Sequence, residues 1–227
     1  MIPTKRRWPS TLDEPDDILE MQARVHARGG LSHPTHYKNW DLGLFTEVIL
    51  ERVGMDEPVL DLGCVSNPLL TNLARIGYQA LVGIDLGIVI DDEPRHPAVR
   101  RVSADLQRTP FAAGTFACAT ALSTIEHGVD LARFFDEMRR ILRVGGVLLV
   151  STDFWEDKVS TRLVPRQVTF GLPWNIFSRR EMLELVALAR VKGFELLWPF
   201  DPTAVDPVVL WLHRRYTFAA IGLVRTA

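Results

Sequence analysis

Three carboxylates close short apolar runs: Asp61 in "VLDLG", Asp85 in "LVGID" and Asp105 in "VSADL". An acid at the carboxyl end of a strand, downstream of a glycine turn, can accept both hydroxyls of a ribose. An Asp-Leu pair one strand further on can read an adenine edge through its carboxylate and a backbone amide. The glycine turn is Gly63, where the missing Cβ lets backbone and ligand come close. A dinucleotide needs more glycines after it, for pyrophosphate approach and helix packing. Val65 and Ser66 stand there instead. The pattern therefore speaks for a nucleoside ligand without phosphates and against nicotinamide or flavin dinucleotides.

Other residues could react. His127, in "STIEHG", has an ordinary pKa suited to a general base, although it or Glu126 could equally cap a following helix. Asp153 follows an apolar run and either faces a ligand or caps a loop. His33 and His36, in "HPTHYKNW", could close over a ligand together with Tyr37, or remain solvated; with no third metal-spaced ligand they do not spell zinc. Trp155, Trp174, Trp198 and Trp211 crowd the second half. Amphipathic rings suit an aromatic or sugar acceptor, but no more than two of the four are expected in a site.

The elements that must carry these residues follow from periodicity. Residues 16–28 read as a helix ended by Gly29-Gly30, and Asp41 is placed to cap a second helix that stops at Gly54. Five runs apolar on both faces come next: 58–63, 80–85, 98–104, 116–123 and 146–152. Such strands belong to a parallel sheet covered by helices. The helices between them are "PLLTNLARIG" and "LARFFDEMRRILRVGG", the latter expected to end at its glycine pair. Ser178 and Glu181 predict a capping box, with Phe177 and Met182 as its hydrophobic staple. "FELLW" and "YTFAAIGLV" supply the last strands. The prediction is one α/β domain over 1–227, a doubly wound, mostly parallel sheet of seven strands with the last antiparallel. An N-terminal helical cap is expected over 1–54, and an irregular lid over 153–177, since structureless stretches of that length usually cover or bind something.

The chain has 227 residues, 47% hydrophobic and 24% charged, enough for a full core. A formal charge of −2 gives no bulk attraction to nucleic acid. Basic runs such as "RRILR", and the pairs Arg179-Arg180 and Arg214-Arg215, read as solvated faces. Two cysteines, Cys64 and Cys118, make neither a disulfide framework nor a zinc site. Without an apolar leader or a membrane-length run, the expected setting is the cytoplasm.

Taken jointly, "VLDLGC", "LVGIDL", "ADLQRTPFAAGTFACATALSTIEHGVD" and "EMRRILRVGGVLLVST" resemble the motifs of class I S-adenosylmethionine-dependent methyltransferases over residues 57–152, and more loosely to the end. The resemblance implies S-adenosylmethionine as cofactor, S-adenosylhomocysteine as product and no metal. Asp61, Gly63, Cys64 and Asn67 would shape the methionine end, Asp85 with Leu86 would hold the ribose, and Asp105 with Leu106 the adenine. Ser123 and Thr124 would line the methionine side, Tyr37 would cover the cofactor, and His127 would be the catalytic base. Val65 and Asn67 replace the usual glycines, and Ala117 a usual acid. Asn67 is compatible with the turn and with a helix cap, and Pro68 with a first helical position. A β-branched Val65 is the departure that matters, since it resists positive φ and could crowd the cofactor. The implied acceptor is a small molecule, methylated on oxygen or nitrogen, in glycan or natural-product biosynthesis. Alternatives are a binding or scaffold protein of the same fold without methyl transfer, and an RNA or protein methyltransferase. A homodimer is left open.

Overall fold

The computed structural model describes residues 8–65, 67–86 and 96–226. The basic residues at 5–7 and Ser66 of the first loop lie outside the described residues. Helix α1 (Pro15–Ala27) is followed by a single 3-10 turn (His36–Lys38) and helix α2 (Asn39–Arg52). The alternating part then runs β1 (Val59–Leu62), α3 (Leu69–Ile76), β2 (Leu81–Asp85), β3 (Val99–Ser103), β4 (Phe116–Leu122), α4 (Leu131–Ile141) and β5 (Leu142–Trp155). After an irregular stretch come β6 (Phe177–Ser178), α5 (Arg179–Val191), β7 (Phe194–Leu196), β8 (Val209–Trp211) and β9 (Arg214–Arg225).

The main sheet has the order β3-β2-β1-β4-β5-β9-β7. Its first five strands are mutually parallel, and β9 lies antiparallel between β5 and β7. The expected seven strands with the last antiparallel are all present, and the short strands β6 and β8 add to them on β5 and β9. Every residue of β1 and β4 is buried, because helices cover both faces of a parallel sheet. One apolar layer lies under α1, α2 and α3, the other under α4 and α5.

Several boundaries differ from the sequence expectation, among them the fifth strand, which runs over Leu142–Trp155 where 146–152 was expected. Helix α2 starts at Asn39, so Asp41 sits inside it and caps nothing. The helix is buried from Asn39 through Val48 and Ile49, because α1 covers its outer side; a Cβ at Gly43 would stand 2.6 Å from that of Met21. Helix α4 stops at Ile141 rather than at Gly145-Gly146. Leu142 turns extended there, buries its side chain and pairs with Phe116 of β4, which ends the helix earlier than a glycine would. The capping box at Ser178 and Glu181 is formed as read.

The long pairing of β5 with β9 sets up the site. Ser151 lies opposite Ala220 and Asp153 opposite Phe218. Residues directly opposite share a face, and alternate residues of one strand do too. Ser151, Asp153, Tyr216 and Phe218 therefore all look toward the α2 side. Beyond the short β7, the edge of β9 is taken by the chain before α1: Leu12 N–H donates to the Phe218 carbonyl and Ala220 N–H to that of Ser10, at 3.0 and 2.8 Å.

Candidate active site

A cavity of about 460 Å³ opens at the carboxyl ends of β1, β2, β4 and β5, where open α/β sheets place their ligands. Its first half is built on the ends of β1, β2 and β3. Gly63 turns with φ 73°, and a Cβ there would lie 2.6 Å from Thr124 Oγ1, so both conformation and space demand glycine. Asp85 stands at the end of β2, its Oδ1 accepting the Leu86 N–H at 2.7 Å. Asp105 Oδ1 accepts the Gln107 N–H at 2.8 Å, a turn that fixes the Asp-Leu pair. Ile84, Leu86 and Leu106 give this half apolar walls. Two carboxylates with apolar side chains between them make an acceptor set that would suit the hydroxyls of a ribose and the edge of a flat base.

Asp61 and Cys64 do not reach the wall. Asp61 lies behind the loop, fully buried, accepting from Thr120 Oγ1 at 2.6 Å and from Asn67 Nδ2 at 2.9 Å. Burial pushes its carboxyl up to about 7. Its work is to hold the turn. Asn67 passes the contact on, its Oδ1 accepting the Leu69 N–H at the start of α3. Pro68 precedes the first helical residue rather than occupying it. Cys64 points into the core, its Sγ 2.6 Å from where a Cβ on Gly83 would be; the expected cofactor contact is corrected to a packing one. Val65 has no positive φ, since among the described non-glycine residues only Ser123, Phe170, Leu212 and His213 do. It lines the cavity without backbone strain.

The second half lies between α2, the β4 end and the β5–β9 face. Asp41 is fully buried, its Oδ2 taking a hydrogen bond from Ser151 Oγ at 2.7 Å with Ser123 Oγ at 3.4 Å. Ser123 adopts φ 45°, held by its N–H to Ser151 O and Oγ; such a left-handed residue persists only where its surroundings hold it. Thr124 lines the cavity, and its hydroxyl is engaged by the Leu62 and Leu122 carbonyls at 3.1 and 3.0 Å. Glu126 accepts from Thr152 Oγ1 at 3.1 Å, and burial raises its carboxyl to about 7. Asp153 accepts from Trp174 Nε1 at 2.7 Å; burial and then the Glu126 charge raise it to about 7.

His127 lines this half with Phe170 edge-on at 5.5 Å. Burial lowers its pKa against the pull of Asp153, so the ring is held neutral, the form a base needs. Its Nδ1 is buried without a hydrogen bond. Tyr37 and His33 border the cavity while His36 does not; burial and then Lys38 lower His33 to about 4. Trp174 and Trp211 line the cavity; Trp155 and Trp198 do not. The irregular stretch before β6 supplies Phe170, Leu172 and Trp174, and is tied down by Asn175 N–H to the Glu126 carbonyl at 2.9 Å.

Sequence reasoning missed Lys38, Asp41 and Phe218. The signal for Asp41 was available: a lone acid in "NWDLGLF" within a helix apolar on every side must be buried and must have partners. Lys38 and Phe218 meet only through tertiary structure, the Nζ 4.3 Å from the ring centre.

Residues 60–150 match the family described as a methyltransferase domain. A probable S-adenosylmethionine-dependent methyltransferase of Mycolicibacterium smegmatis is 30% identical over 164 residues, 66% of this chain and 58% of that protein. A malonyl-[acyl-carrier protein] O-methyltransferase of Legionella pneumophila is 34% identical over 100 residues, 41% of this chain and 35% of that one. The geranyl diphosphate C-methyltransferase of Streptomyces coelicolor superposes with a TM-score of 0.58 at 18% identity, covering 98% of this chain and 91% of that one. Sequence and fold agree that residues 60–150 form a methyltransferase domain. It spans between 35% and 58% of the length of the first curated relatives it matches.

Proposed function

We propose that this protein binds S-adenosylmethionine and transfers its methyl group to a small molecule. The observation that carries the reading is one cavity lined at one end by Gly63, Asp85, Asp105 and Leu106, and at the other by His127, Glu126 and Asp153. The cofactor supplies an electrophilic methyl on a sulfonium. Asp85 is suited to the ribose, Asp105 and Leu106 to the adenine, and Ser123 and Tyr37 to the methionine end. His127 is the base for an acceptor that must lose a proton, and the remaining task is alignment and exclusion of water. The irregular stretch 156–176, narrower than the 153–177 expected because β5 runs to Trp155 and β6 starts at Phe177, acts as the acceptor lid, and α1 with α2 as a helical cap over the methionine end.

A small acceptor is favoured over RNA by the surface charges. Arg140 pairs with Glu137, Arg143 with Glu57, Arg179 with Glu156 and Arg180 with Glu184, which leaves these arginines no contiguous basic track. Relatives named for oxygen and for carbon transfer both occur, so the acceptor atom has to come from the site itself. Isothermal titration with S-adenosylhomocysteine tests the reading: binding in the micromolar range is expected, and none at millimolar ligand would leave a scaffold protein of this fold. Asp85→Ala is expected to weaken binding by about 1–3 kcal/mol, the cost of hydrogen bonds to a charged acceptor; unchanged affinity would remove Asp85 from the ribose.

A further inference from the structure

The chain has a net charge of −2, yet its acids are unevenly spread. Residues 158–176 contain Lys158, Arg162 and Arg166 and no acid, and residues 207–216 contain Arg214 and Arg215 and no acid. The fold brings the two stretches together: Arg214 Nε donates to the Ser160 carbonyl at 2.8 Å, and Trp174 meets Trp211 edge-on at 4.8 Å. Lys158 is held by Glu181, and the Arg214 guanidinium by that carbonyl. Arg162, Arg166 and Arg215 are exposed and make no ion pair with another described residue.

Large apolar side chains stand among these cations. Leu163 is 86% exposed, Phe170 72% and Leu210 62%, and Val168 and Trp211 are exposed as well. Phe170 is the extreme case, with φ 59°, a left-handed conformation that a phenylalanine keeps only where its surroundings hold it. The turn that holds it is bonded: Gly171 N–H donates to the Arg166 carbonyl at 2.8 Å and Thr169 Oγ1 to that of Leu172 at 2.7 Å. The strained conformation displays the ring instead of burying it. Phe170 and Trp211 also line the cavity, so the apolar and cationic rim is continuous with its mouth.

Exposed apolar residues that cluster mark an interaction site, and arginines between them select an anionic partner. A nucleic acid offers phosphates and base faces, which leave the aliphatic Leu163, Val168 and Leu210 uncovered. A lipid bilayer covers both kinds of side chain at once, taking arginines at its head groups and apolar tips at the acyl boundary, with no need for a partner matched in shape. We propose that residues 158–176 and the β8–β9 hairpin dock this protein on an anionic lipid membrane, with the cavity mouth toward the bilayer. The docking goes beyond methyl transfer and does not depend on it.

Co-sedimentation of the intact protein with lipid vesicles tests it. Phosphatidylcholine vesicles containing one quarter phosphatidylglycerol are expected to bind at least tenfold more tightly than phosphatidylcholine alone, with the gap narrowing as salt rises. Arg162→Gln with Arg166→Gln is expected to cut that preference at least fivefold, and Leu163→Ser with Val168→Ser to weaken binding to the anionic vesicles at least fivefold. Val191→Ser, an exposed change at the end of α5, is expected to leave binding as in the parent. All these side chains are exposed, so melting temperatures are expected to stay near the parent value. No binding to anionic vesicles, equal binding to both kinds, or indifference to the four rim substitutions overturns the docking. Tighter binding of polyuridylic acid than of anionic vesicles overturns it in favour of an RNA face. A dimer that Leu163→Ser returns to monomer, without vesicle binding, overturns it in favour of a contact between two copies. Failure to bind S-adenosylhomocysteine strikes the methyltransferase reading instead and leaves the docking standing.

Discussion

Asp153 is one of the buried acids that line the cavity, and its protonation is measurable through stability. Folding raises its carboxyl from an ordinary 3.8 to about 7, chiefly by burial. Between those values the folded chain holds a proton that the unfolded chain has released, so stability falls as pH rises through this window and stays at the lower level above it. Asp153→Asn keeps the acceptor for Trp174 and removes the titration. It is therefore expected to gain melting temperature relative to the parent between pH 5 and pH 8, on the order of 1 kcal/mol for each pKa unit recovered; parallel melting curves across that range would show that Asp153 ionises in the fold without penalty. Val65→Gly is expected to change S-adenosylhomocysteine affinity by less than about threefold, since the valine has no positive φ to relieve and a loop glycine adds only backbone freedom. A loss beyond tenfold would make Val65 a productive wall of the cofactor half. Asp85 and Asp105 were legible in the sequence because each closes an apolar run. Asp153 was visible only as ambiguous, because its burial against Trp174 and Tyr216 exists only once β9 lies beside β5.

Among the elements, the best signposted in sequence is also the simplest to perturb. Ser178 accepts the Glu181 N–H, and Glu181 answers to the Ser178 N–H at 2.7 Å. Ser178→Ala is expected to cost about 1 kcal/mol, a fall of about 2–4 °C in melting temperature for a chain of this size. No measurable change would mean that the Lys158–Glu181 pair and the packing of Phe177 and Met182 define the start of α5 without the hydroxyl. Local chemistry of this kind reads directly from sequence. The end of α4 does not, because Leu142 leaves the helix for a strand partner, Phe116, twenty-six positions earlier in the chain. Helix α2 hid its start for a related reason: with α1 on one side and the sheet on the other it has no polar face, so periodicity could not place Asp41 inside it. The strands β6 and β8, two and three residues long, are too short to leave a pattern, yet β8 carries Val209 and Trp211 to the cavity.

At the scale of the whole molecule, the cavity is where otherwise separate parts of the chain meet. The turn before α2 brings Tyr37 and Lys38, the parallel strands bring Gly63, Asp85 and Ser123, the irregular stretch brings Trp174, and β9 brings Tyr216 and Phe218. The chain at Ser10 to Leu12 is itself bonded to β9 at Phe218 and Ala220. A ligand in this cavity therefore bears on both apolar layers and on the N-terminal helices together. Ligand that binds only the folded state stabilises it by mass action, about 2.7 kcal/mol at a concentration of 100 times Kd. For a chain of this length that corresponds to a rise of about 5–11 °C in melting temperature. S-adenosylhomocysteine at that excess is expected to move one calorimetric transition as a unit and to raise amide protection in α1 and α2 along with that of β1 and β4. A shift confined to part of the transition, with α1 and α2 exchanging as in the free protein, would mean that the N-terminal helices are an independent attachment, and that the cofactor half is completed by the sheet alone.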